Sequence, residues 1–377
     1  MKRLLLASFA LLGYVYLGYP LLCAILSCVR HRRVRAQPCT PRVSILISAY
    51  NEVTCIVETV RNKLDLDYPA DQCEIIVISD GSTDGTDEAV AELAASEKRV
   101  RLFRQESRAG KTSALSLAAT HAHGEILVFS DANSLYASDA LRKLMEPFAD
   151  PDVGYVTGRM LYLAADGSLT GEGCSAYMRF ENTLRGWEKA IGSVVGVDGG
   201  IDAVRSSLFT PMRADQQPDF VLPLSVIERR RRVVYAPGAR VYEAALTRPG
   251  DEFHMRTRVA LRAWHALRDK AGLLNPLRYG LFSWQLFSHK WLRYLAPVLQ
   301  LAALVSSIAL VGQGPWWSGI LAVQTVFYVL ASLGFFGLRL PGPLSFPYYL
   351  CLLNAAAGVA LVQFLRGKKQ VTWIPRR

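Results

Sequence analysis

Glu74-Ile75-Ile76-Val77-Ile78-Ser79-Asp80-Gly81-Ser82-Thr83-Asp84-Gly85 is a short apolar, β-rich run that stops abruptly in a polar turn containing glycine. An uninterrupted apolar run of this length, bounded by turn residues, predicts a strand buried on both faces. Its flanks repeat the pattern. Upstream, Val43 to Ser48 is a similar run ending in Ala49-Tyr50-Asn51-Glu52, and Val53 to Leu64 between the two has helical character. Downstream, a helix over Thr86 to Ser96, a strand over Val100 to Phe103, a helix over Ser113 to His121 and a strand over Ile126 to Ser130 lead to Asp131. Strand and helix alternating in this way predict an α/β domain built on a mostly parallel sheet covered on both faces. Ligands of such sheets bind outside the carboxyl ends of the strands. Three strands end in polar, acidic loops, at Glu52, Asp80 and Asp131, so the sequence predicts one acidic rim. Neither the dinucleotide pattern GxGxxG nor a Walker loop is present; Gly110-Lys111-Thr112 resembles the end of the latter without its upstream glycine.

The hydrophobic fraction of 51% is concentrated at the two ends of the chain. Leu4 to Val29 carries no charge and exceeds the roughly 20 residues that cross a bilayer, which predicts a spanning helix. Lys2, Arg3 and the Ile25-Leu26-Ser27-Cys28 stretch also suit a signal peptide or lipoprotein site, but a signal peptide's apolar core is only about 7 to 15 residues. Arg30, Arg32, Arg33 and Arg35 outnumber Lys2 and Arg3 and place the following domain in the cytoplasm. Tyr294 to Val311, Trp316 to Leu338 and Leu344 to Leu365 read as three more spans, with Arg339 in a connecting loop. Pro276 to Arg293 mixes aromatic and basic residues as a membrane-interface segment does.

The chain is thus divided into a first span with its basic flank (1–36), a cytoplasmic domain (37–275), an interface segment (276–293) and three spans with a basic tail (294–377), as a multi-pass protein of the cell membrane. One conflict stands. Four crossings would put the tail outside, whereas Arg366, Lys368, Lys369, Arg376 and Arg377 favour the cytoplasm. Either one stretch does not cross or the tail tolerates the wrong side.

Much of the net charge of +11 flanks hydrophobic segments, which points to membrane lipids as partners, and no nucleic-acid motif accompanies it. Arg229 to Arg232 reads as the solvated end of a helix before the strand Val233 to Tyr235, with phosphate or lipid binding as the alternative. The seven cysteines lack CxxC spacing and read as free thiols of a reducing compartment. His121 and His123, two apart on a helix, would face different directions and read as structural.

Taken in order, Ile47-Ser48-Ala49-Tyr50-Asn51-Glu52, Ser79-Asp80-Gly81-Ser82-Thr83-Asp84-Gly85-Thr86, Phe129-Ser130-Asp131-Ala132-Asn133 and Asp219-Phe220-Val221-Leu222 resemble family 2 of the glycosyltransferases, which includes membrane synthases of cellulose, hyaluronan and poly-N-acetylglucosamine. The resemblance runs from Pro41 to Trp264. It implies a GT-A-like nucleotide-sugar-binding domain flanked by transmembrane helices. The implied reaction is inverting transfer of a sugar from a nucleotide diphosphate donor, a UDP-sugar first, to a hydroxyl of a glycan or lipid acceptor.

The resemblance also assigns roles. Tyr50, Glu52, Asp80 and Lys111 would surround the nucleotide, a carboxylate there accepting the ring N–H of uracil. Asp131 and Asn133 match the element that holds Mg²⁺ or Mn²⁺, with an amide where the family has a second carboxylate. Asp219 stands at the general base, although Gln217 and Pro218 replace the usual acidic neighbours. Met255-Arg256-Thr257-Arg258-Val259 is the nearest match to the family's QxxRW; Arg258 would contact the diphosphate, while the Gln and Trp are absent and Trp264 would substitute as the acceptor aromatic. Gly199 and Gly200 would belong to an acceptor loop. Two rival classes are a sugar nucleotidyltransferase and a non-catalytic membrane scaffold. The first needs a glycine-rich basic loop where Tyr50-Asn51-Glu52 stands, and the second is suggested by Asn133 and the altered QxxRW.

Overall fold

The structure, a computed structural model, describes residues 1–163, 172–244, 249–338 and 340–372, with side chains described in the second of these from residue 177 and in the third from residue 250. Eight strands, β1 Val43–Ala49, β2 Cys73–Ser79, β3 Val100–Arg104, β4 Ile126–Asp131, β5 Leu135–Tyr136, β6 Val153–Leu163, β7 Asp202–Arg205 and β8 Arg232–Ala244, form one sheet in the order β3-β2-β1-β4-β7-β6-β8-β5. The half expected from the sequence, β3-β2-β1-β4, is parallel throughout. In the other half β7 runs antiparallel to both neighbours, and β6 pairs parallel with β8.

The apolar runs are needed on both faces because successive side chains of a strand point opposite ways. Ile45, Ile47, Ile75 and Val77 enter one core, while Leu46, Ile76 and Ile78 enter the other. The first core is covered by α2 Ile56–Leu64, α3 Thr86–Ser96 and α5 Ala140–Met145; the second by α4 Lys111–Thr120, α7 Pro218–Glu228 and α8 Pro249–Asp269. The long α6 Glu172–Ile191 lies between the sheet and the apolar helix α1, Lys2–Val29.

Three further helices are long and apolar enough to cross a membrane: α9 Leu281–Ala309, α10 Pro315–Phe335 and the segment Gly342–Leu365, which contains α11 Phe346–Leu365. The structure redraws the sequence expectation at the first of them and adds contacts at the last.

First, the stretch expected as a separate interface segment is continuous with α9 from Leu281 onward, leaving only the short helix Pro276–Tyr279 apart. A π-helical turn at Phe287–Leu292 lets its polar residues face acids of α6. His289 Nδ1 lies 2.7 Å from Glu188 Oε1, Arg293 donates to Glu181 at 2.5 Å, and Tyr19 of α1 donates to Glu188 at 2.5 Å. Buried charges of this kind are tolerated only when paired.

Second, α11 lies along α8. Ala360 packs on Ala260 and Leu261, Phe364 stacks on Trp264 at 5.7 Å, and the Tyr349 hydroxyl donates to Glu252 at 2.8 Å. The chain beyond it returns to the α/β domain: His265 donates to the Lys368 carbonyl at 2.9 Å and Lys369 pairs with Asp215 at 3.0 Å. Arg339, Arg376 and Arg377, and the side chain of Cys174, lie outside what the structure describes.

Two smaller expectations resolve differently. His121 stacks on Phe103 and His123 approaches Glu74, both structural contacts. Arg232, by contrast, is not at a solvated helix end. It is buried and donates to the carbonyls of Gly192, Arg33, Arg32 and Lys189, tying the basic flank of α1 to the domain.

Candidate active site

The registers Ala49↔Ser79 and Ser48↔Asp131 put the tips of β1, β2 and β4 side by side, so the three acidic loops leave the sheet at one edge. Two of them are knitted together: the Asn51 amide donates to Ser82 Oγ at 3.1 Å, and the Thr83 amide donates to Asn51 Oδ1 at 2.9 Å. Glu52 occupies the same turn, its backbone amide held by Thr86 at 2.9 Å. The Arg108 guanidinium lies 3.6 Å from the Tyr50 ring centroid, a cation over an aromatic face. Asp80 is buried and accepts from the amides of Ala109 at 2.7 Å and Gly110 at 2.9 Å. Its carboxylate therefore fixes the turn into α4, while the helix after Gly85 is served by Asp84, which accepts from the Thr86 amide at 3.1 Å.

Lys111, the first residue of α4, forms a close ion pair with Asp131. Burial works against its ammonium, but Asp131 and then Asp219 outweigh burial and hold it above its ordinary value. Asp219 is the second residue of α7, and Gln217 Nε2 donates to its Oδ2 at 2.8 Å. A Cβ on Gly199, at φ +75°, would stand 2.8 Å from that same oxygen, so this position admits only glycine if the loop is to reach Asp219. A Cβ on Gly200, at φ +70°, would stand 2.9 Å from Glu243 Oε1. Arg258 projects from α8 toward the same cluster; burial depresses it, and Asp131 and Asp219 oppose that. Lys111 and Arg258 thus face Asp131 and Asp219 across one rim, with Asn133 exposed on the turn after β4.

Residues 44–193 match the sequence profile described as Glycosyl transferase family 2. This chain carries a glycosyl transferase family 2 domain. Among curated relatives, the beta-monoglucosyldiacylglycerol synthase of Nostoc sp. strain PCC 7120 is 31% identical over 191 residues, 50% of this chain and 41% of that protein. The poly-beta-1,6-N-acetyl-D-glucosamine synthase of Staphylococcus aureus strain COL is 34% identical over 117 residues, 31% of this chain and 28% of that protein. The chain therefore spans well under half the length of these relatives. Of solved structures, the mannosyltransferase PcManGT from Pyrobaculum calidifontis, in complex with GDP-Man and Mn²⁺, superposes with a TM-score of 0.75 at 24% identity, over 97% of this chain and 99% of that one. The fold is that of a GT-A-like glycosyltransferase, as the ordered motifs implied.

The glycosyltransferase domain also holds polar groups that sequence reasoning missed. Glu243, near the end of β8, accepts a short hydrogen bond from Ser134, and burial and then Asp131 push it up to about 7. Arg262 of α8 donates to Thr112 Oγ1 at 2.6 Å and to the Gln216 carbonyl, clamping the start of α4 to the segment before Asp219. Asp198, just before the glycine pair, is held by Arg185 of α6 at 2.5 Å with both side chains almost fully buried. Trp264, expected at the acceptor, is buried among Trp291, Tyr294 and Phe364, because α11 covers that face of α8; it offers the acceptor no surface. Among the described residues no three His, Cys, Asp or Glu side chains form a ready metal cage.

Asp202, at the start of β7, is buried, and burial followed by the Asp219 charge pushes it up to about 8. Its unfolded-state value is the ordinary one near 3.8, so between those limits the folded protein binds the extra proton and loses stability as pH rises. Asp202→Asn removes that dependence. The variant is expected to gain on the parent from pH 5 to pH 8, by at most about 1.4 kcal/mol per pH unit. Melting curves of both proteins at several pH values check it; parallel curves would show that Asp202 is ionised throughout.

Proposed function

We propose that the protein is an inverting glycosyltransferase that moves a sugar from a nucleoside diphosphate donor to a hydroxyl of a membrane lipid or glycan. The observation that carries this reading is the facing of Lys111 and Asp131 against Asp219, with the Gly199 backbone against the Asp219 carboxylate. Tyr50, Glu52 and Asp80 line the place for the nucleoside. Asp80 still has lone pairs for a ring N–H, which suits uracil. Lys111 and Arg258 neutralise the diphosphate, the guanidinium matching two oxygens at once.

Asp131 and Asn133 would hold Mg²⁺ or Mn²⁺. The pair fits an ion that takes most of its oxygens from water and phosphate, and Lys111 supplies a positive charge at the same carboxylate. When bound, that ion adds charge neutralisation of the leaving diphosphate. Asp219 accepts the acceptor's proton as the acceptor oxygen bonds to the anomeric carbon. The bond to the diphosphate breaks, and its electron pair leaves with the nucleoside diphosphate. One displacement without an enzyme nucleophile inverts that centre.

The names of the relatives, which make a glycolipid and a polysaccharide, support a lipid or glycan acceptor. Purified protein in lipid, given UDP- and GDP-sugars with Mg²⁺ or Mn²⁺ and a lipid extract, should release nucleoside diphosphate. Silence with every donor would overturn the reading.

The arrangement of the apolar helices favours three crossings with the domain on the cytoplasmic side. Leu5 at the start of α1 packs on Ala303 and Leu310 at the end of α9, whereas Trp284 at the start of α9 donates to Tyr14, deeper in α1, at 2.8 Å. The two helices are thus antiparallel. The α10 helix starts beside that far end, with Lys2 over Trp317 at 5.5 Å, and returns to place Gly334 against Tyr348 of α11. Because α11 then lies on α8, Lys368 and Lys369 end on the domain's side, where the positive-inside tendency favours them. With the native exposed thiols removed, Lys369→Cys should react with an impermeant maleimide from the domain's side and Gln313→Cys from the opposite side. Labelling of both from one side would sink this topology.

A further inference from the structure

Away from the rim, an open cavity of about 750 Å³ lies between the basic flank of α1, helix α6 and strands β6 and β8. His31, Arg32, Arg33, Arg159, Arg179 and Lys189 line it, and no carboxylate does. Arg32 has an ion-pair partner at the edge, Asp152 at 3.0 Å. Arg33, Arg159 and Lys189 form no ion pair among the described residues, and Arg159 Nε is buried without a hydrogen-bond partner. Burial and the neighbouring Arg232 pull the Lys189 ammonium below its ordinary value, as expected where positive charge is left uncompensated. Half-buried Arg159 and Lys189, without an ion pair among the described residues and bordered by the exposed Arg33, form a receptor for a multivalent anion, and phosphate oxygens match the guanidinium fork.

Position indicates which anion. Arg33 follows Val29, the end of α1, by about four residues, so the cavity wall begins within roughly 14 Å of the apolar helix, the depth of lipid headgroups. Trp187 of α6 also lines the cavity, an amphipathic ring of the kind that sits at that depth. We propose that this cavity binds the phosphate of an anionic membrane lipid headgroup. The proposal rests on the reading that α1 crosses the bilayer. The site is distinct from the donor rim, because Arg159 and Met160 leave β6 on opposite faces and Met160 is the one that meets Gly200. It is nonetheless wired to the acceptor loop. Asn182 lines the cavity and accepts from Arg185 at 2.8 Å, and Arg185 holds Asp198 beside Gly199.

The test uses the full chain in a neutral detergent and follows its melting temperature at constant ionic strength. Short-chain phosphatidylglycerol, short-chain phosphatidylcholine and inorganic phosphate are titrated separately. Phosphatidylglycerol should raise the melting temperature saturably and phosphatidylcholine should not. The pair Arg159→Gln with Lys189→Gln should raise the half-saturating concentration by about tenfold. The exposed pair Arg61→Gln with Lys98→Gln, which removes equal charge from the soluble face, should leave it unchanged. Should the first pair fail to fold, Arg33→Gln on the exposed flank should weaken the response in the same direction.

Absence of a response to phosphatidylglycerol, or equal loss in the Arg61 and Lys98 variant, would overturn the proposal. Saturation by inorganic phosphate at the same concentration as the lipid would assign the cavity to the free anion and overturn the lipid source. Flotation of the parent protein with pure phosphatidylcholine vesicles reports separately whether the membrane reading holds.

Discussion

Asp219→Asn is expected to lower transfer by about 10³-fold while leaving donor affinity and melting temperature close to those of the parent, the signature of a lost general base. The separation of effects follows from what Asp219 touches. Its Oδ2 accepts from Gln217 at 2.8 Å, and an amide oxygen at that position can accept the same bond. It lies in the first turn of α7, where the helix dipole favours a negative charge, and there is no pairing of Asp219 with Lys111 as close as that of Asp131. Lys111 therefore keeps its partner in the variant, and the nucleotide side of the rim is undisturbed. What disappears is the carboxylate's charge and, with it, the capacity to take the acceptor's proton. Single-turnover transfer and calorimetric donor binding measured on the same preparation give the comparison. A variant within threefold of the parent would place the base elsewhere. Equal loss of donor binding would make Asp219 a structural residue.

The parts of this fold that are legible in the sequence are those in which one local pattern has one physical meaning. Runs such as Ile75 to Ile78 have to be buried on both faces, and the acidic tips that follow them converge because parallel strands of one sheet end together. Glu243 and Asp202 could not be found this way. Each sits at an end of a strand in the mixed half of the sheet, and its proximity to Asp131 or Asp219 depends on β7 and β8 crossing back beside β4 and β6. The spacing of Arg262 and Trp264 on α8 did not reveal that one would clamp the donor side while the other was covered by α11. Hydropathy is less informative at α11, which is long and apolar enough to cross a membrane and also packs on α8. An apolar helix satisfies the same criterion whether lipid or the Ala260 and Leu261 face of α8 covers it. The basic tail bears on the same question, since its charge favours the cytoplasmic side.

Asp131→Asn is expected to remove nearly all turnover, by about 10³-fold or more, together with the affinity for Mn²⁺, because it leaves two neutral amides, at 131 and 133, to hold a hard cation that prefers carboxylate oxygen. The fold should survive. Asp131 sits on the rim at one-third exposure, and Lys111, on losing it, still has Asp219 and Glu243 to balance its charge. The freed ammonium should even hold a nucleoside diphosphate without metal, so product affinity measured in chelator is expected to stay level or rise. That opposition distinguishes a lost metal ligand from a collapsed site, which would weaken both. The converse change, Asn133→Asp, restores a second carboxylate and should tighten Mn²⁺ binding by about tenfold, read by the loss of the free-ion electron spin resonance signal. If Asp131→Asn retained metal-stimulated turnover, the cation would have to be held by other oxygens, and the role of the β4 tip would reduce to its ion pair with Lys111.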